Sequence, residues 1–444
     1  MKIKFSVPIT STEICFATGA KYSGQKRTFT HLSTSSCDVD EQTIFFALQG
    51  HRTSGEEFVR ELQRKNVCSV SVQQGDCLFT HSSVLDALLK LANYYKKKFK
   101  NLNKTIAITG SVGKTTTKEF LRRILSVRWI TSANEGNYNS EIGVPLSIFT
   151  TPIHSEILIL EFGMNHRGEI QRLSKCALPD FAIITNIGHA HIGNLGSRET
   201  IALEKMDVCA HKQIPVLIDG REPLLEPIKN KIALHNDIRI TTKENGVEFL
   251  FRENNYSVEI PSLPEDTTSC LLFALCCGIS LGLSGAELQE GVNECLKFSG
   301  RRKEMLFGGI HIIDDTYNAS PESMKCAIKY LKSHSGKGKY MVLGDMQELG
   351  EHTKRLHELL GADLTEALLD GVFLFGEYGI YTKEGLINAG YDSGRIHLYE
   401  DTRNFEGLIC ALSNQLKKGD VCMLKGSHSS KMWRITEGLE EVYS

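Results

Sequence analysis

Residues 109–117, which read TGSVGKTTT, combine the residue types and the spacing of a phosphate-binding loop. Glycines let backbone N–H groups approach an anion, and the N-terminus of a following helix adds positive potential. The side chain of Lys114 can reach the β- and γ-phosphates of a nucleotide, and the Thr115 hydroxyl can ligate Mg²⁺. The spacing is a short Gly-x-x-Gly-Lys-Thr, because Ile108 stands where the usual loop has its first glycine.

The sequences on either side of this loop decide between a phosphate site and an ordinary Gly/Ser turn with a solvated lysine. Residues 105–108 are β-branched or apolar and predict a buried parallel strand, whereas 118–127 has the pattern of an amphipathic helix. A phosphate loop requires a strand before it and a helix after it. The flanking pattern therefore favours the phosphate site.

Two further buried strands are predicted at 156–161 and 181–185, and each is followed by polar residues. Open α/β sheets bind ligands beyond the carboxyl ends of their strands. Glu161 suits a hard cation beside phosphate oxygens, the alternative being a helix cap or a surface turn. A lone histidine after a strand is more often structural, but the pair His189 and His191 favours contact with metal or phosphate. Lys205, taken alone, is typical of a solvated lysine on a helix.

Composition narrows the class of protein. A chain of 444 residues is expected to form two to four domains, and 41% hydrophobic and 23% charged residues are ordinary for a globular protein. A net charge of −2 gives no argument for binding nucleic acid or a membrane. The N-terminus has no apolar stretch typical of a signal peptide, and the apolar run 270–283 is too short to span a bilayer. We expect a cytoplasmic monomer without membrane insertion, in which this run is a buried helix.

The distribution of cysteines also indicates a cytoplasmic protein. There are 13 of them, scattered without a C-x-x-C pair, and Cys276 and Cys277 lie inside the apolar run. This distribution predicts reduced thiols rather than a disulfide framework or a cysteine zinc site. No local feature marks one of them as catalytic.

Strand-like and helix-like stretches alternate in three regions of the chain. The N-terminal region, 1–100, has strands at 43–48 and 67–72 and helices at 56–65 and 84–98, and a polar linker follows it. The central region, 101–304, begins with the strand before the phosphate loop. The C-terminal region, 305–444, has strands at 310–315, 340–345, 371–375 and 420–425. This alternation predicts an α/β fold with largely parallel sheets covered by helices.

Several sequence motifs, taken in order, resemble those of the Mur ligases, the ATP-dependent amide ligases of peptidoglycan assembly. In the central region they are TGSVGKTTTKE (109–119), GNYNSEIGVPL (136–146), EFGMNHRGEI (161–170), NIGHAHI (186–192) and GSRETIALEK (196–205). In the C-terminal region they are IDDTYNASPESM (313–324), VLGDMQELG (342–350) and KGSH (425–428). The first two motifs of the C-terminal region most resemble the branch of the family that joins D-alanyl-D-alanine to UDP-N-acetylmuramoyl-tripeptide.

The resemblance implies a three-domain architecture. Residues 1–100 would form a small N-terminal α/β domain that binds the UDP-linked substrate. Residues 101–304 would form a central, P-loop ATPase-like domain with a parallel sheet that binds ATP. Residues 305–444 would form a Rossmann-like C-terminal domain that closes over ATP and binds the amine substrate, D-alanyl-D-alanine.

The family chemistry passes through an acyl phosphate, and it implies ATP and two Mg²⁺ ions as cofactors. The nucleotide-binding residues implied by the resemblance are Gly110, Ser111, Gly113, Lys114, Thr115, Thr116, Asn186, Arg302, Asp315 and Asn318. The implied metal ligands are Thr115, Glu161, His191 and Lys205, with Lys205 carbamylated, because a carbamate offers metal ions an anionic oxygen where an ammonium would be repelled. The implied catalytic residues are Lys114, Lys205, His191 and Arg302, with Arg301 as the substitute for Arg302.

The chain departs from the family pattern at several positions. The T-D-S-R motif that helps to hold the UDP end reads Thr-Ser-Ser-Cys, with Ser35 and Cys37 in place of its charged residues. Glu56 stands at the histidine of the usual D-G-H. The start of the helix near 270, where the family has asparagines, carries Thr267 and Cys270. Smaller departures are Ser140 for the second asparagine of G-N-x-N-N and His428 for the arginine of K-G-S-R.

These departures leave a second hypothesis open, a Mur-type ligase that acts on a carboxylate acceptor without UDP. The motifs of the C-terminal region argue against a folylpolyglutamate synthase. A P-loop switch protein of the GTPase class would carry N-K-x-D, which the sequence lacks. A relative without enzyme activity should have lost Lys114, Glu161 or Lys205, and all three are present.

Overall fold

The structure is a computed structural model that describes residues 1–22, 24–50, 53–243, 246–251, 253–261, 263–298, 300 and 302–443. Strands and helices alternate through these ranges, as the sequence predicts. Within the described ranges the strands form three larger sheets, which follow one another along the chain, and a small antiparallel sheet. The predicted α/β class is confirmed.

The first sheet has the strand order β1-β2-β3-β4-β5, antiparallel between β1 and β2 and parallel thereafter. Its strands are β1 (Lys2–Thr10), β2 (Thr28–Ser33), β3 (Thr43–Phe46), β4 (Cys68–Ser71) and β5 (Leu78–Thr80), and its helices are α1 (Ser11–Thr18), α2 (Val59–Arg64) and α3 (Val84–Lys96). The helix predicted at 56–65 begins as a 3₁₀ turn, Gly55–Phe58, before α2.

The central sheet is parallel throughout, with the order β11-β10-β9-β6-β8-β7. Its strands are β6 (Lys104–Thr109), β7 (Thr131–Ala133), β8 (Ile157–Glu161), β9 (Phe181–Ile184), β10 (Val216–Asp219) and β11 (Lys231–Leu234). The helices of this region are α4 (Lys114–Ser126), α5 (Gly143–Thr150), α6 (Glu169–Ala177), α7 (Ile192–Leu195), α8 (Arg198–Met206), α9 (Glu265–Ser280) and α10 (Gly285–Cys295).

Aromatic packing joins the first sheet to the central one. The ring of Tyr95 on α3 meets Phe149 on α5 edge-on at 5.2 Å between centroids, and it also packs against Phe5 of β1. The Tyr95 hydroxyl donates to the carbonyl of Val7, so its polar end is satisfied inside the apolar cluster. This contact holds the first sheet beside the central one.

Helix α4 follows the glycine loop and is held in place by the apolar helices α9 and α10. The predicted buried helix at 270–283 is confirmed, although α9 begins at Glu265 and ends at Ser280. Cys276 and Cys277 are fully buried within it, and burial raises the pKa of both thiols. On α10, a Cβ at Gly291 would lie 2.8 Å from the Cα of Ile124, so glycine allows α10 to approach α4 closely.

A small antiparallel sheet between β11 and α9 was not predicted. It consists of β12 (Arg239–Lys243), β13 (Gly246–Phe251) and β14 (Asn254–Glu259). Val247, Phe249 and Phe251 alternate along β13 and join the core, while β12 carries mostly exposed polar residues. Because the neighbouring strands β12 and β14 carry many polar residues, the segment as a whole shows little of the apolar alternation that predicts strands.

The third sheet has the order β15-β16-β20-β17-β18-β19, and only the pairing of β15 with β16 is antiparallel among the described strands. Its strands are β15 (Lys303–Phe307), β16 (Ile310–Asp315), β17 (Lys339–Gly344), β18 (Gly371–Phe375), β19 (Ile396–Tyr399) and β20 (Val421–Lys425). Its helices are α11 (Pro321–Ser333), α12 (Thr353–Leu364), α13 (Gly379–Asn388), α14 (Phe405–Gln415) and α15 (Trp433–Tyr443). The boundary predicted at 304 falls inside β15, and the one at 100 falls between α3 and β6.

Across the described ranges, no helix combines the length and the apolar character needed to cross a bilayer.

The support that α9 gives to the glycine loop can be tested at Leu271, which is fully buried in the core beside α4. We expect Leu271→Ala to lower the free energy of unfolding by about 2–5 kcal/mol, because it removes packed methyl groups and leaves a cavity. Leu203→Ala is the matched control, since Leu203 is 63% exposed and its truncation should cost no more than about 0.5 kcal/mol. Urea unfolding followed by circular dichroism measures both, and equal midpoints would contradict the packing role.

Candidate active site

The parallel register of the central sheet brings the predicted site residues to one edge. Ile108 of β6 lies opposite Glu161 of β8, and Thr109 lies opposite Ile184 of β9. The glycine loop after β6, the carboxylate that ends β8 and Asn186 after β9 therefore meet at the carboxyl ends of three adjacent strands. Parallel sheets bind ligands at this edge.

The glycine loop has a backbone that other residues could not follow. Gly110 has φ +150°, and a Cβ there would lie 1.9 Å from the Oγ1 of Thr185. Gly113 has φ +81° and precedes the first turn of α4. Only glycine fits both positions without strain or collision, so the two glycines of the motif serve the path of the loop.

Two backbone N–H groups of the loop donate to the same side-chain oxygen. The amides of Ser111 and Val112 donate to Oδ1 of Asn186 at 3.0 and 2.9 Å. The ammonium of Lys114, at the start of α4, donates to the carbonyl of Gly110 at 2.8 Å. The loop thus presents amides, an ammonium group and a helix N-terminus on one side, which is an arrangement for holding phosphate oxygens. In this structure Asn186 shapes the loop.

A hydroxyl and a carboxylate meet beside the loop. The Oγ1 of Thr115 donates to Oε2 of Glu161 at 2.7 Å, and Nδ2 of Asn139 donates to its other oxygen at 2.8 Å. The Glu161 side chain is buried, with 2% of the residue exposed. This set of hard oxygen atoms beside a phosphate loop has the chemistry that Mg²⁺ requires.

Lys205 is not the solvated lysine that its sequence context alone indicates. It lies on α8 with 2% of its surface exposed. Burial lowers the pKa of its ammonium group well below the ordinary value, the charge of Lys114 adds to this effect, and the carboxylate of Glu204 opposes it. Burial thus favours the neutral amine, which is the nucleophilic form. It does not itself line the cavity described below.

The two histidines after β9 contact carboxylates of the third sheet. His189 Nδ1 lies 2.6 Å from Oε1 of Glu322 on α11, and His191 Nδ1 pairs with Oε2 of Glu348. Burial opposes the ionisation of Glu322, but the hydrogen bonds from His189 outweigh it and hold the pKa of the carboxyl below its usual value. The close approach of His191 likewise lowers the pKa of Glu348. His191 also has φ +65°, a strained conformation for a residue with a side chain.

Arg302 lies where the third sheet meets the central region. Its Nη2 is 3.0 Å from Oδ2 of Asp266 on α9 and 3.7 Å from Oδ2 of Asp315. Its buried Nε has no hydrogen-bond partner among the described residues, which suits a site that receives an anion. The buried Lys425 donates to Asp315 Oδ2 at 3.0 Å and to the carbonyl of Asn318 at 2.8 Å. Arg301, the substitute for Arg302, lies outside the described residues.

One cavity of about 1180 Å³ joins these groups. Of the predicted site residues, those that line it are Ser111, Gly113, Lys114, Thr115, Thr116, Glu161, Asn186, His191, Arg302, Asp315 and Asn318. Thr267 and Cys270, two of the family departures, line it as well, and burial raises the pKa of the Cys270 thiol to about 12. The cavity continues into the N-terminal region at Ser54 and Glu56, whereas Ser35 and Cys37 do not line it.

Several residues that shape the site were not among the candidates. These are Asn139, Asp266, Glu322, Glu348 and Lys425. Four of them lie inside motifs that carry the resemblance. The sequence therefore indicated the segments but did not single out these residues. Asp266 lies at a departure, and its partner Arg302 is 36 positions away, so no local pattern reveals the pair.

Comparisons with known proteins give a consistent result. A family model described as the Mur ligase middle domain matches residues 108–278, and one described as the Mur ligase glutamate ligase domain matches 301–428. The UDP-N-acetylmuramoyl-tripeptide–D-alanyl-D-alanine ligase of Bacillus subtilis is 33% identical over 92% of this chain and 93% of its own. The ligase of the same name from Treponema pallidum is 30% identical over 96% of each chain.

Solved structures agree with these sequence matches. A crystal structure of MurF from Acinetobacter baumannii is 26% identical, has a TM-score of 0.86 and covers 99% of this chain and 100% of its own. MurF from Thermotoga maritima in complex with ADP is 29% identical, with a TM-score of 0.77 over 92% of this chain and 97% of that one. The predicted three-domain architecture is confirmed by these likenesses.

The contacts of the two histidines predict how firmly the third sheet docks on the central region. Both pairs are partly exposed, so we expect each to contribute roughly 0.5–1 kcal/mol. Replacing both carboxylates, Glu322→Gln with Glu348→Gln, should shift the docking equilibrium about 5–30-fold towards the undocked state. Small-angle scattering should then show a larger radius of gyration than the wild type.

The control for this experiment is Glu366→Gln with Glu400→Gln, since both residues are exposed. It makes the same change in net charge away from the two histidines. If the test and control variants had equal radii, the ion pairs would have no role in docking.

Proposed function

The chain belongs to the Mur ligase family, and we propose that it joins D-alanyl-D-alanine to UDP-N-acetylmuramoyl-tripeptide in peptidoglycan precursor synthesis. The observation that carries the proposal is the single cavity that connects the phosphate loop, the third sheet and the N-terminal region. A ligase that brings together ATP, a long acceptor and an amine needs such a shared space. The curated relatives that match nearly the whole chain carry this activity in their names.

The reaction forms an amide at the expense of ATP. A carboxylate oxygen of the acceptor attacks the γ-phosphorus, ADP leaves, and the acyl phosphate accepts the amine nitrogen, which loses a proton as phosphate departs. Both steps build negative charge on phosphoryl or carbonyl oxygens. We infer that Lys114 and the N-terminus of α4 hold the β- and γ-phosphates and that Arg302 contributes from the side of the third sheet. The amides of Ser111 and Val112 donate to Asn186 in this structure and would have to exchange it for a phosphate oxygen.

The donor set at Thr115 and Glu161 fits Mg²⁺, and the resemblance adds His191 and carbamylated Lys205 as further ligands. When bound, the two ions would neutralise the charge that develops on the phosphoryl oxygens. Thr115 and Glu161 already lie within hydrogen-bond distance, so this side of the site is organised in advance. The Nδ1 of His191 pairs with Glu348, so its Nε2 would be the atom that binds the ion.

Lys205 is suited to carbamylation by its environment. Only a neutral amine adds CO₂, giving Lys–NH–COO⁻ and a released proton, and the buried amine of Lys205 has a strongly lowered pKa. The carbamate then places an anion where burial disfavours an ammonium group, and the positive charge of Lys114 stabilises that anion.

The cavity supports a UDP-linked acceptor less strongly than it supports ATP, because Ser35 and Cys37 do not line it. Glu56 lines the cavity, but its carboxylate already accepts from Ser71 Oγ at 2.6 Å and from the amide of Val72 at 2.9 Å. A Mur-type ligase for an acceptor without UDP is thus the second candidate. The cytoplasmic location and the monomeric state stay predictions.

The phosphate role of Lys114 gives the first test. We expect Lys114→Ala to reduce ATP-dependent phosphate release by about a thousandfold or more, because a charged clamp on the transition state is lost. Lys100→Ala, at an exposed lysine, is the control and should retain wild-type turnover. Near-normal release by a folded Lys114→Ala variant would remove the phosphate-loop assignment.

The role of Lys205 gives a test by chemical rescue. Lys205→Ala should be inactive, and added short-chain carboxylic acids should restore some of the activity by supplying the missing oxygen ligand. Lys212→Ala, at an exposed lysine, should need no rescue. Carbon-13 NMR of wild-type protein in ¹³C-bicarbonate should show a carbamate signal that Lys205→Ala lacks. Full activity of Lys205→Ala without added acid would refute the assignment.

The acceptor is tested by calorimetry with UDP-N-acetylmuramoyl-tripeptide and with the free tripeptide. Losing one charged contact at position 35 or 37 should weaken binding by about 1–3 kcal/mol, or roughly ten- to a hundredfold. We therefore expect micromolar to submillimolar affinity for the UDP-linked compound and much weaker binding of the free tripeptide. Equal affinities would favour the ligase with a different acceptor.

A further inference from the structure

A group of potential metal ligands lies outside the active-site cavity, on the third sheet. Among the described residues, Glu304, His311 and His334 form a group whose ligand atoms all lie within 4.8 Å of one another. Nε2 of His311 is 3.0 Å from Oε2 of Glu304, and Nε2 of His334 is 4.0 Å from the same oxygen. None of the three lines the cavity that holds the phosphate loop.

The three ligands are carried by regular elements of the fold. Glu304 on β15 faces Ile313, and His311 on β16 faces Leu306, so the two side chains lie diagonally on one face of the antiparallel pair. His334 caps the end of α11. Ligands on strands and at a helix end are held more firmly than ligands on a loop.

Tyr330 orients two of the three ligands. Its carbonyl oxygen is 3.0 Å from Nδ1 of His334, and a carbonyl only accepts, so Nδ1 carries the proton and Nε2 keeps its lone pair. Its hydroxyl donates to Oε1 of Glu304, which leaves Oε2 for a cation. Metal-binding histidines and carboxylates commonly have such supporting partners, which set the tautomer and the direction of the ligand.

We propose that Glu304, His311 and His334 bind a divalent ion of the Zn²⁺ class, with water completing the shell. Two imidazoles and one carboxylate are a known ligand set for Zn²⁺, whereas Mg²⁺ and Ca²⁺ prefer all-oxygen sites. Bond lengths of about 2.0–2.1 Å place tetrahedral ligand atoms roughly 3.3–3.5 Å apart. The observed separations of 3.0 and 4.0 Å bracket that spacing, so small side-chain rotations complete the site.

The surroundings leave room for the ion and for water. The side chains of Glu304, His311 and His334 are 41%, 32% and 19% exposed, so an ion can enter from solvent. A separate cavity of about 440 Å³ is lined by Glu304 and His311. The nearby cation Arg302 lies over the Tyr330 ring, 4.1 Å from its centroid, and its charge is paired with Asp266.

The test is a titration of the full chain with Zn²⁺ and, as a spectroscopic probe, with Co²⁺, in excess Mg²⁺. We expect one equivalent to bind and to give the intense visible absorption of four-coordinate Co²⁺. His311→Gln with His334→Gln should abolish this equivalent, while His154→Gln, at an exposed histidine, should keep it. Glu161→Gln should also keep it, which separates this ion from any ion at the phosphate loop.

Tyr330→Phe tests the supporting role, because it removes the hydroxyl and retains the carbonyl and the ring. We expect its affinity for Zn²⁺ to fall about tenfold or more. Circular dichroism and thermal unfolding in chelator establish that each variant is folded. Absence of the equivalent from the wild type, or its persistence in the double histidine variant, would overturn the proposal. Unchanged affinity in Tyr330→Phe would overturn the role given to that residue.

Discussion

The turn that leaves β6 passes so close to Thr185 that a single added carbon at Gly110 would collide with that side chain. The contact fixes the loop between β6 and β9, and the amides of Ser111 and Val112 then meet Asn186 at the end of β9. Because β8 lies on the other side of β6, the same strand also sets the place of Glu161. The position of the glycine loop and that of the Glu161 carboxylate are thus both set by the hydrogen-bonded register of three parallel strands.

The site residues that come from this frame could be predicted from the sequence. Glu161 ends a recognisable apolar strand, and Lys114, Thr115 and Asn186 come shortly after two others. Strand ends in a parallel sheet meet at one edge. The environment of Lys205 could not be predicted without the family, since a lysine among polar neighbours on a helix is usually solvated. Its burial depends on the packing of elements far apart in sequence.

Contacts between the domains could not be predicted from local sequence patterns. His189 and Glu322 are 133 positions apart, and each is ordinary in its own segment. The same holds for Arg302 and Asp266, which belong to different structural units. The antiparallel strands β12 and β14 were not predicted for another reason, because each carries few apolar residues: Ile240 on β12, and Tyr256 and Val258 on β14. Sequence periodicity indicates which residues of one element are buried. The contacts between domains and the small sheet depend instead on how several elements pack together.

His191 holds a left-handed backbone conformation that glycine would adopt freely, and a side chain there costs on the order of 1 kcal/mol or more. Its imidazole contacts Glu348 of the C-terminal region directly, and glycine could not make that contact. The position therefore sets the stability of the local backbone against the contact between the central region and the third sheet. Glycine at this residue would relieve the backbone and remove that contact, so one substitution should stabilise the central region while it loosens the third sheet.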